Sequence, residues 1–423
     1  MSGYSSRRPH AEFMQVWEEG YVGTTESFVT MHMQGVAIFS GDGLRKPDGA
    51  LDRAAILAWI EAATRGIPYS RLRLQRAPLG LTPPAWVPVP VVEMDKHVRF
   101  GDDDVLAAET LRRLIGWDEG ALDVTAPLWR LRVTPLTDGR VALGILMHHA
   151  GGDALRTLKF LSSLTTSKPV TAPPTADPVF ADSRAPRPGA LPILALQNWW
   201  GASDTPGARW SAYWRKPVAR RARRVAARIT RRLRDRPARP VTVHSGFRAY
   251  PGGAVQEAAS AVDATMNDLV VAAAIDAASR GDGPVRVRVP VLRRATEASR
   301  NRVTDAAIVG ERMPQVADLV SSVRDQLSRA RDASATDDDA LTASARDVGY
   351  ATLVPWLSRA RHLLGARLEE VIVLPASLPD DELSTFALLY DDKLSVVVTA
   401  PATTPLEPVL DDLGATLVGV GVR

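Results

Sequence analysis

The stretch from Lys168 to Val243 most limits how this chain of 423 residues can fold. It holds eleven of the 31 prolines in under a fifth of the length. A run such as SKPVTAPPTADPVFADSRAPRPGALP forms neither a long helix nor a central strand, because proline lacks the amide donor and restrains its predecessor. The chain is also too long for one ordinary core. Three parts are therefore expected: a folded part over residues 1–167, a Pro-rich and basic connecting region over 168–243, and a second folded part over 244–423. One apolar island in the connector, LPILALQNWW (Leu191–Trp200), is expected to dock on a folded part.

The connector also carries most of the charge asymmetry. Between Arg215 and Arg239 there are twelve Arg or Lys and one Asp, so the rest of the chain is left with −7 of the net +4. Val218, Ala222, Val225, Ile229 and Leu233 recur there at helical spacing, which predicts a basic amphipathic helix. Such a helix suits an anionic membrane surface, an acidic carrier protein, a phosphorylated cofactor, or plain solvent. No aromatic or motif context accompanies the arginines, which argues against nucleic acid.

Composition narrows the setting. Hydrophobic residues make up 45% and charged residues 24%, as in soluble globular proteins. The longest apolar run, Leu269–Ile275, stops at Asp276, far short of a membrane span. The N-terminal residues are charged where an export signal needs its apolar core. There are no cysteines, which excludes disulfides, thiolate catalysis and sulfur-ligated zinc, and fits a cytoplasmic protein.

Each flanking part mixes strands and helices. In the first, residues 35–40, 130–136 and 140–150 are rich in β-branched residues and bounded by turns. Leu51–Thr64, Asp104–Ile115 and Asp153–Leu164 have helical periodicity. In the second, 285–292, 306–314, 369–377, 384–390 and 393–401 predict strands, the last two joined at Asp391-Asp392. Asn267–Ala278 and Val316–Ala333 predict helices. Thr265 and Asp268 stand three apart at the start of the former, as in a capping box.

The run GILMHHAGGDALRTL (Gly144–Leu158) carries the most chemistry. His148 and His149 are consecutive on a predicted strand, so their side chains face opposite ways and do not readily chelate one metal. One imidazole can be held inward while the other enters a cleft and takes a proton from a hydroxyl or amine. Ala150-Gly151-Gly152 predicts a compact turn. Asp153 is placed to cap the next helix or pair with an arginine.

HHAGGDA resembles the HHxxxDG motif of the superfamily containing chloramphenicol acetyltransferase and the condensation domains of nonribosomal peptide synthesis. More closely, the chain resembles bacterial wax ester synthase/diacylglycerol acyltransferases. MHMQGVAIF, RLRLQRAPLGLTPPAWV, MDKHVRF and LDVTAPLWRLRVTPLTDGRVALGILMHHA are similar to family segments in the first part. ATMNDLVVAAAIDAASR and VRVPVLRR are similar to segments in the second.

The resemblance implies an α/β fold of two tandem chloramphenicol acetyltransferase-like domains, each a mixed sheet flanked by helices, with an interdomain tunnel. It implies acyl transfer from a thioester, normally acyl-CoA, to a hydroxyl acceptor, with no permanently bound cofactor or metal. Carried over by position, His149 is the general base, while His148 and Asp153 hold the loop. Gly152 and Asn267 are candidate substrate contacts, and Arg293-Arg294 a candidate attraction for a CoA phosphate.

Three departures bear on the substrate. Ala154 replaces the usual glycine after the aspartate, Arg300-Asn301 replaces the family's Gly-Asn, and no NVPGP stretch occurs. The general base survives these changes. The open alternatives are amide formation, a carrier-protein-bound donor, and a non-catalytic homologue that binds acyl groups or a carrier.

Overall fold

The computed structural model describes residues 8–14, 21–22, 32–101, 107, 122–152, 154–201, 243–280, 283–292, 303–332, 345–356, 359–374 and 381–419. Asp153, the Asp104–Ile115 helix, Arg293-Arg294, Arg300-Asn301 and the basic Arg215–Arg239 segment lie outside the described residues.

The first half runs through β1 (Glu12–Phe13), β2 (His32–Phe39), α1 (Arg53–Arg65), β3 (Leu72–Gln75), β4 (Ala85–Pro88), β5 (Val98–Phe100), β6 (Trp129–Pro135), β7 (Val141–His148), α2 (Ala154–Leu164) and α3 (Leu191–Gly201). The second runs through β8 (Val243–Pro251), α4 (Gly252–Ala261), α5 (Met266–Ser279), β9 (Val285–Leu292), β10 (Val303–Gly310), α6 (Val316–Asp332) and β11 (Arg346–Pro355). It continues with β12 (His362–Leu363), β13 (Ala366–Leu374), β14 (Ser384–Tyr390), β15 (Lys393–Pro401) and α7 (Leu406–Gly419).

Two six-stranded mixed sheets organise these elements. One has the order β12-β13-β2-β7-β6-β5, the other β8-β15-β14-β11-β9-β10. Strand β7 is central in the first and buried along all eight residues, which is why its sequence reads as a continuous apolar run and does not alternate. Helices α1 and α2 pack on this sheet through Ile56, Trp59, Ile60, Leu158 and Leu161. Asp52 starts α1 by accepting the Ala55 N–H at 3.2 Å, two residues later than the periodicity predicts.

In the second half α5 is buried nearly all round, as its apolar sequence on every face requires. The predicted capping box is present: Thr265 Oγ1 accepts the Asp268 N–H at 3.2 Å and Asp268 accepts the Thr265 N–H at 3.0 Å. The 384–390 and 393–401 strands have their predicted bounds, and Asp391 supplies the left-handed turn residue at φ 55°. The strand predicted over 306–314 instead occupies Val303–Gly310 and stops well before Pro314, which has no N–H for a ladder. Among the described residues no single helix is long and apolar enough to cross a membrane.

The halves are joined by more than the connector. Strand β13 leaves the second half and pairs antiparallel with β2, with Leu368 opposite Phe39 and Val371 opposite Ala37. The crossing brings the chain so close that a Cβ on Gly43, at φ +73°, would lie 2.0 Å from the Leu364 carbonyl. A shared cluster of Val36, Ile38, Ala142, Ile372, Leu374 and Val397 fills the space between the sheets. Arg361 donates to the carbonyls of Ser162 and Thr165 at the end of α2, and its Nε to Thr165 Oγ1 at 3.0 Å. The island predicted to dock does so as α3: Leu191 is fully buried against Ala77, Ala85 and Val87.

Candidate active site

Strand β7 ends at His148, directly opposite His32 on β2. His148 is completely buried; its backbone N–H donates to the Leu128 carbonyl at 3.1 Å. Its Nδ1 accepts the Ala150 N–H at 3.0 Å. A backbone N–H only donates, so Nδ1 holds a lone pair and the ring proton sits on Nε2. Burial first, then the neighbouring His32 and His149, lower the His148 pKa to about 3. His32 is built alike: it is buried, and its Nε2 accepts the Leu122 N–H at 3.2 Å. The two rings meet edge to face at 5.6 Å.

His149 diverges from His148 for a reason the strand alternation did not supply. The strand has already ended, and His149–Gly151 form a single 3-10 turn closed by the Gly152 N–H donating to the His149 carbonyl at 3.2 Å. The turn carries the His149 ring out of the sheet, half-buried and stacked on Tyr21 at 4.4 Å. Gly151 is required here, since a Cβ would lie 1.9 Å from the Tyr69 ring, which is itself buried and donates its hydroxyl to Leu128 O at 2.6 Å. A Cβ on Gly152 would lie 2.3 Å from Arg156 Cδ, which can swing away, and 2.7 Å from Arg156 Cβ, which the helix backbone holds in place. Ala154 begins α2, and alanine at a helix start costs the backbone nothing, so the departure from glycine is absorbed at this position.

Behind the turn stands an aromatic wall. Trp129 is fully buried and donates its indole N–H to Ser70 O at 3.2 Å. His97 stacks on Trp129 at 4.4 Å and donates Nδ1–H to its carbonyl at 2.8 Å, while Phe160 of α2 packs against both Trp129 and Tyr69. Burial lowers the His97 pKa. The segments MDKHVRF and PLW, far apart in sequence, therefore meet on one support.

Asn267 is placed differently from the histidines. Its Oδ1 accepts the Leu353 N–H at 3.0 Å. Pairing of β9 with β11 ends at Arg288 opposite Tyr350, so this side chain takes over the ladder's task on the next stretch of β11. Val354, one residue on, packs into the core that contains the histidine turn.

Sequence reasoning did not single out Tyr21, His32, Tyr69, His97 or Trp129 as parts of the site. His32, His97 and Trp129 lay inside the segments quoted for the family resemblance. Their signal was present without a partner to give it meaning.

A sequence profile of the wax ester synthase/diacylglycerol acyltransferase catalytic domain matches residues 21–270. The chain belongs to the wax ester synthase/diacylglycerol acyltransferase family. A Mycobacterium tuberculosis protein named as a diacylglycerol O-acyltransferase is 29% identical over 236 residues, covering 51% of this chain and 48% of that protein. A second one of the same named activity is 28% identical over 165 residues, covering 37% and 58%. The chain thus spans about half the length of the curated relatives it matches.

Solved structures carry the likeness across both halves. The wax ester synthase/diacylglycerol acyltransferase from Marinobacter aquaeolei VT8 matches with a TM-score of 0.61 at 16% identity, covering 97% of this chain and 99% of that one. The first condensation domain of the calcium-dependent antibiotic synthetase matches with a TM-score of 0.60 at 16% identity, covering 97% of each. This family member therefore has the two-domain chloramphenicol acetyltransferase-like fold, each sheet flanked by helices.

Proposed function

We propose that this acyltransferase-family protein moves an acyl group from a thioester, acyl-CoA in the first instance, to a hydroxyl acceptor, with His149 as general base. The observation that carries the reading is the locking of His148. A fully buried ring that accepts a backbone N–H and resists protonation down to about pH 3 is a support, which leaves its neighbour on the turn to handle protons.

In this mechanism His149 takes the acceptor's hydroxyl proton as the oxygen attacks the thioester carbonyl carbon. The tetrahedral intermediate collapses with cleavage of the carbon–sulfur bond. The imidazolium returns its proton to the departing thiolate, so the products are an ester and a free thiol. In this reading Gly152 is a substrate contact, Asp153 is assigned the task of holding the turn, and Asn267 acts from the second part by fixing β11. The proposed parts are 1–167, 168–243 and 244–423.

The deciding assay measures thiol release from acyl-CoA against a panel of alcohols and amines. His149→Ala should lose about a hundredfold to ten-thousandfold in kcat/KM. Full activity in that variant removes the assignment.

A second reading, with an amine acceptor or a carrier-bound donor, is favoured by the condensation-domain likeness and by the basic run Arg215–Arg239. The amine arm of the panel and a charged carrier test it. Binding of acyl ligands with no turnover in any combination points to the non-catalytic homologue.

We read the protein as cytoplasmic, with Arg215–Arg239 as its contact to an anionic membrane surface. Flotation should then occur with anionic but not neutral vesicles and be lost on neutralising that run.

A further inference from the structure

A cavity of about 320 Å³ lies along β3, between Arg73–Arg76 and Val124-Thr125, with Val22 on its wall. Its size is at the lower end for small-molecule sites. Val22 ties it to the histidine turn, because the preceding residue, Tyr21, is the one stacked on His149 at 4.4 Å. Two lining residues are arginines. Arg73 donates to Gln75 Oε1 at 3.0 Å and to the Leu74 carbonyl at 3.5 Å, both neutral oxygens, and among the described residues no carboxylate pairs with it. Thr125 has its hydroxyl committed to Asp123 at 2.7 Å, so recognition of charge falls to the arginines. Val22, Leu74 and Val124 make the remaining wall apolar.

A cation without a counter-ion beside apolar walls suits an anion attached to a branched hydrocarbon. We propose that this cavity seats the phosphate end of the donor's phosphopantetheine arm, with Arg73 meeting the phosphate and the apolar wall meeting the adjoining gem-dimethyl group. The proposal rests on the thioester-donor reading above. Coenzyme A and a charged carrier protein share this chemistry, since both present pantetheine through a phosphate.

The test is equilibrium binding by titration calorimetry, which needs no acceptor and no turnover. The probes are 4′-phosphopantetheine and pantetheine, which differ only in the phosphate. The full-length protein should bind the phosphorylated probe about tenfold or more tightly. Arg73→Gln should erase that preference while leaving pantetheine binding unchanged, and Arg73→Lys should keep part of it. Coenzyme A and a phosphopantetheinylated carrier, titrated in parallel, identify the source by which of them loses affinity in Arg73→Gln. Equal binding of the two probes by the unmodified protein, or an equal loss of both in Arg73→Gln, overturns the site. The two readings fail separately. A phosphate preference that depends on Arg73 in a protein without turnover keeps the site and sinks the catalytic assignment, whereas acyl-CoA turnover insensitive to Arg73→Gln does the reverse.

Discussion

The ring of His148 has a hydrogen-bond acceptor's task and no room for a second proton. Unfolded, the same imidazole titrates near its ordinary 6.5; folded, near 3. Between those values the unfolded chain binds a proton that the folded chain refuses, so stability is fully present above about pH 6.5 and falls as pH drops toward 3. From pH 7 to pH 5 this one group should cost about 2 kcal/mol. Urea unfolding at the two pH values should show that loss, and His148→Asn, which keeps an acceptor for the Ala150 N–H, should show much less of it. An unchanged pH dependence in the variant would assign the acid sensitivity elsewhere. Replacement by Leu removes the acceptor and leaves a buried N–H unsatisfied, at about 1–3 kcal/mol at every pH. On the proposed reading, with His149 as general base, the acid limb of kcat/KM should keep its position in His148→Asn.

At the scale of elements, the histidine turn is fixed by what stands beneath it. Gly151→Ala drives a methyl group to 1.9 Å from the buried Tyr69 ring and should destabilise the fold by about 1–3 kcal/mol, whereas Gly152→Ala meets Arg156, whose Cδ can swing away although its Cβ at 2.7 Å cannot, and should destabilise it by less. Chemical denaturation of the two variants decides this, and a reversed order would mean that the turn is not held by Tyr69. Most such elements were legible from sequence, because β14, β15 and α5 each bury a pattern that their own residues spell out. The 3-10 turn was harder: alternation predicts two opposed side chains on a strand running to residue 150, but the strand stops at His148, two residues short, and the turn begins there. The pairing of His32 with His148 and of His97 with Trp129 was not legible, because a single sequence says that a strand exists and not which strand lies beside it. Asn267 shows the same limit. Its helix start was readable as a capping box, and its bond to Leu353 depends on where β9 leaves β11.

For the whole molecule, the decisive fact is that the first sheet is finished by the second half. Without β13, strand β2 becomes an open edge of buried residues, His32 to Phe39, with its outward N–H and C=O groups unpaired. The Arg361 clamp on the end of α2 is also lost. Residues 1–243 alone should therefore be insoluble or self-associate through that edge, although they contain the whole histidine motif. Adding residues 244–423 during refolding should return a soluble complex whose near-ultraviolet circular dichroism matches the full chain. A monomeric, cooperatively folding 1–243 fragment would show that β13 is dispensable. The clamp can be probed without cutting the chain. Arg361→Ala should lower stability by about 1.5–3 kcal/mol, and Arg361→Lys should recover only part, since an ammonium does not reach two carbonyls and a hydroxyl with the fixed fork of a guanidinium. Because the clamp grips the far end of the helix that follows the histidine turn, loosening it should also slow turnover more than it weakens substrate binding. A fall in kcat at constant KM would register that coupling between the two halves.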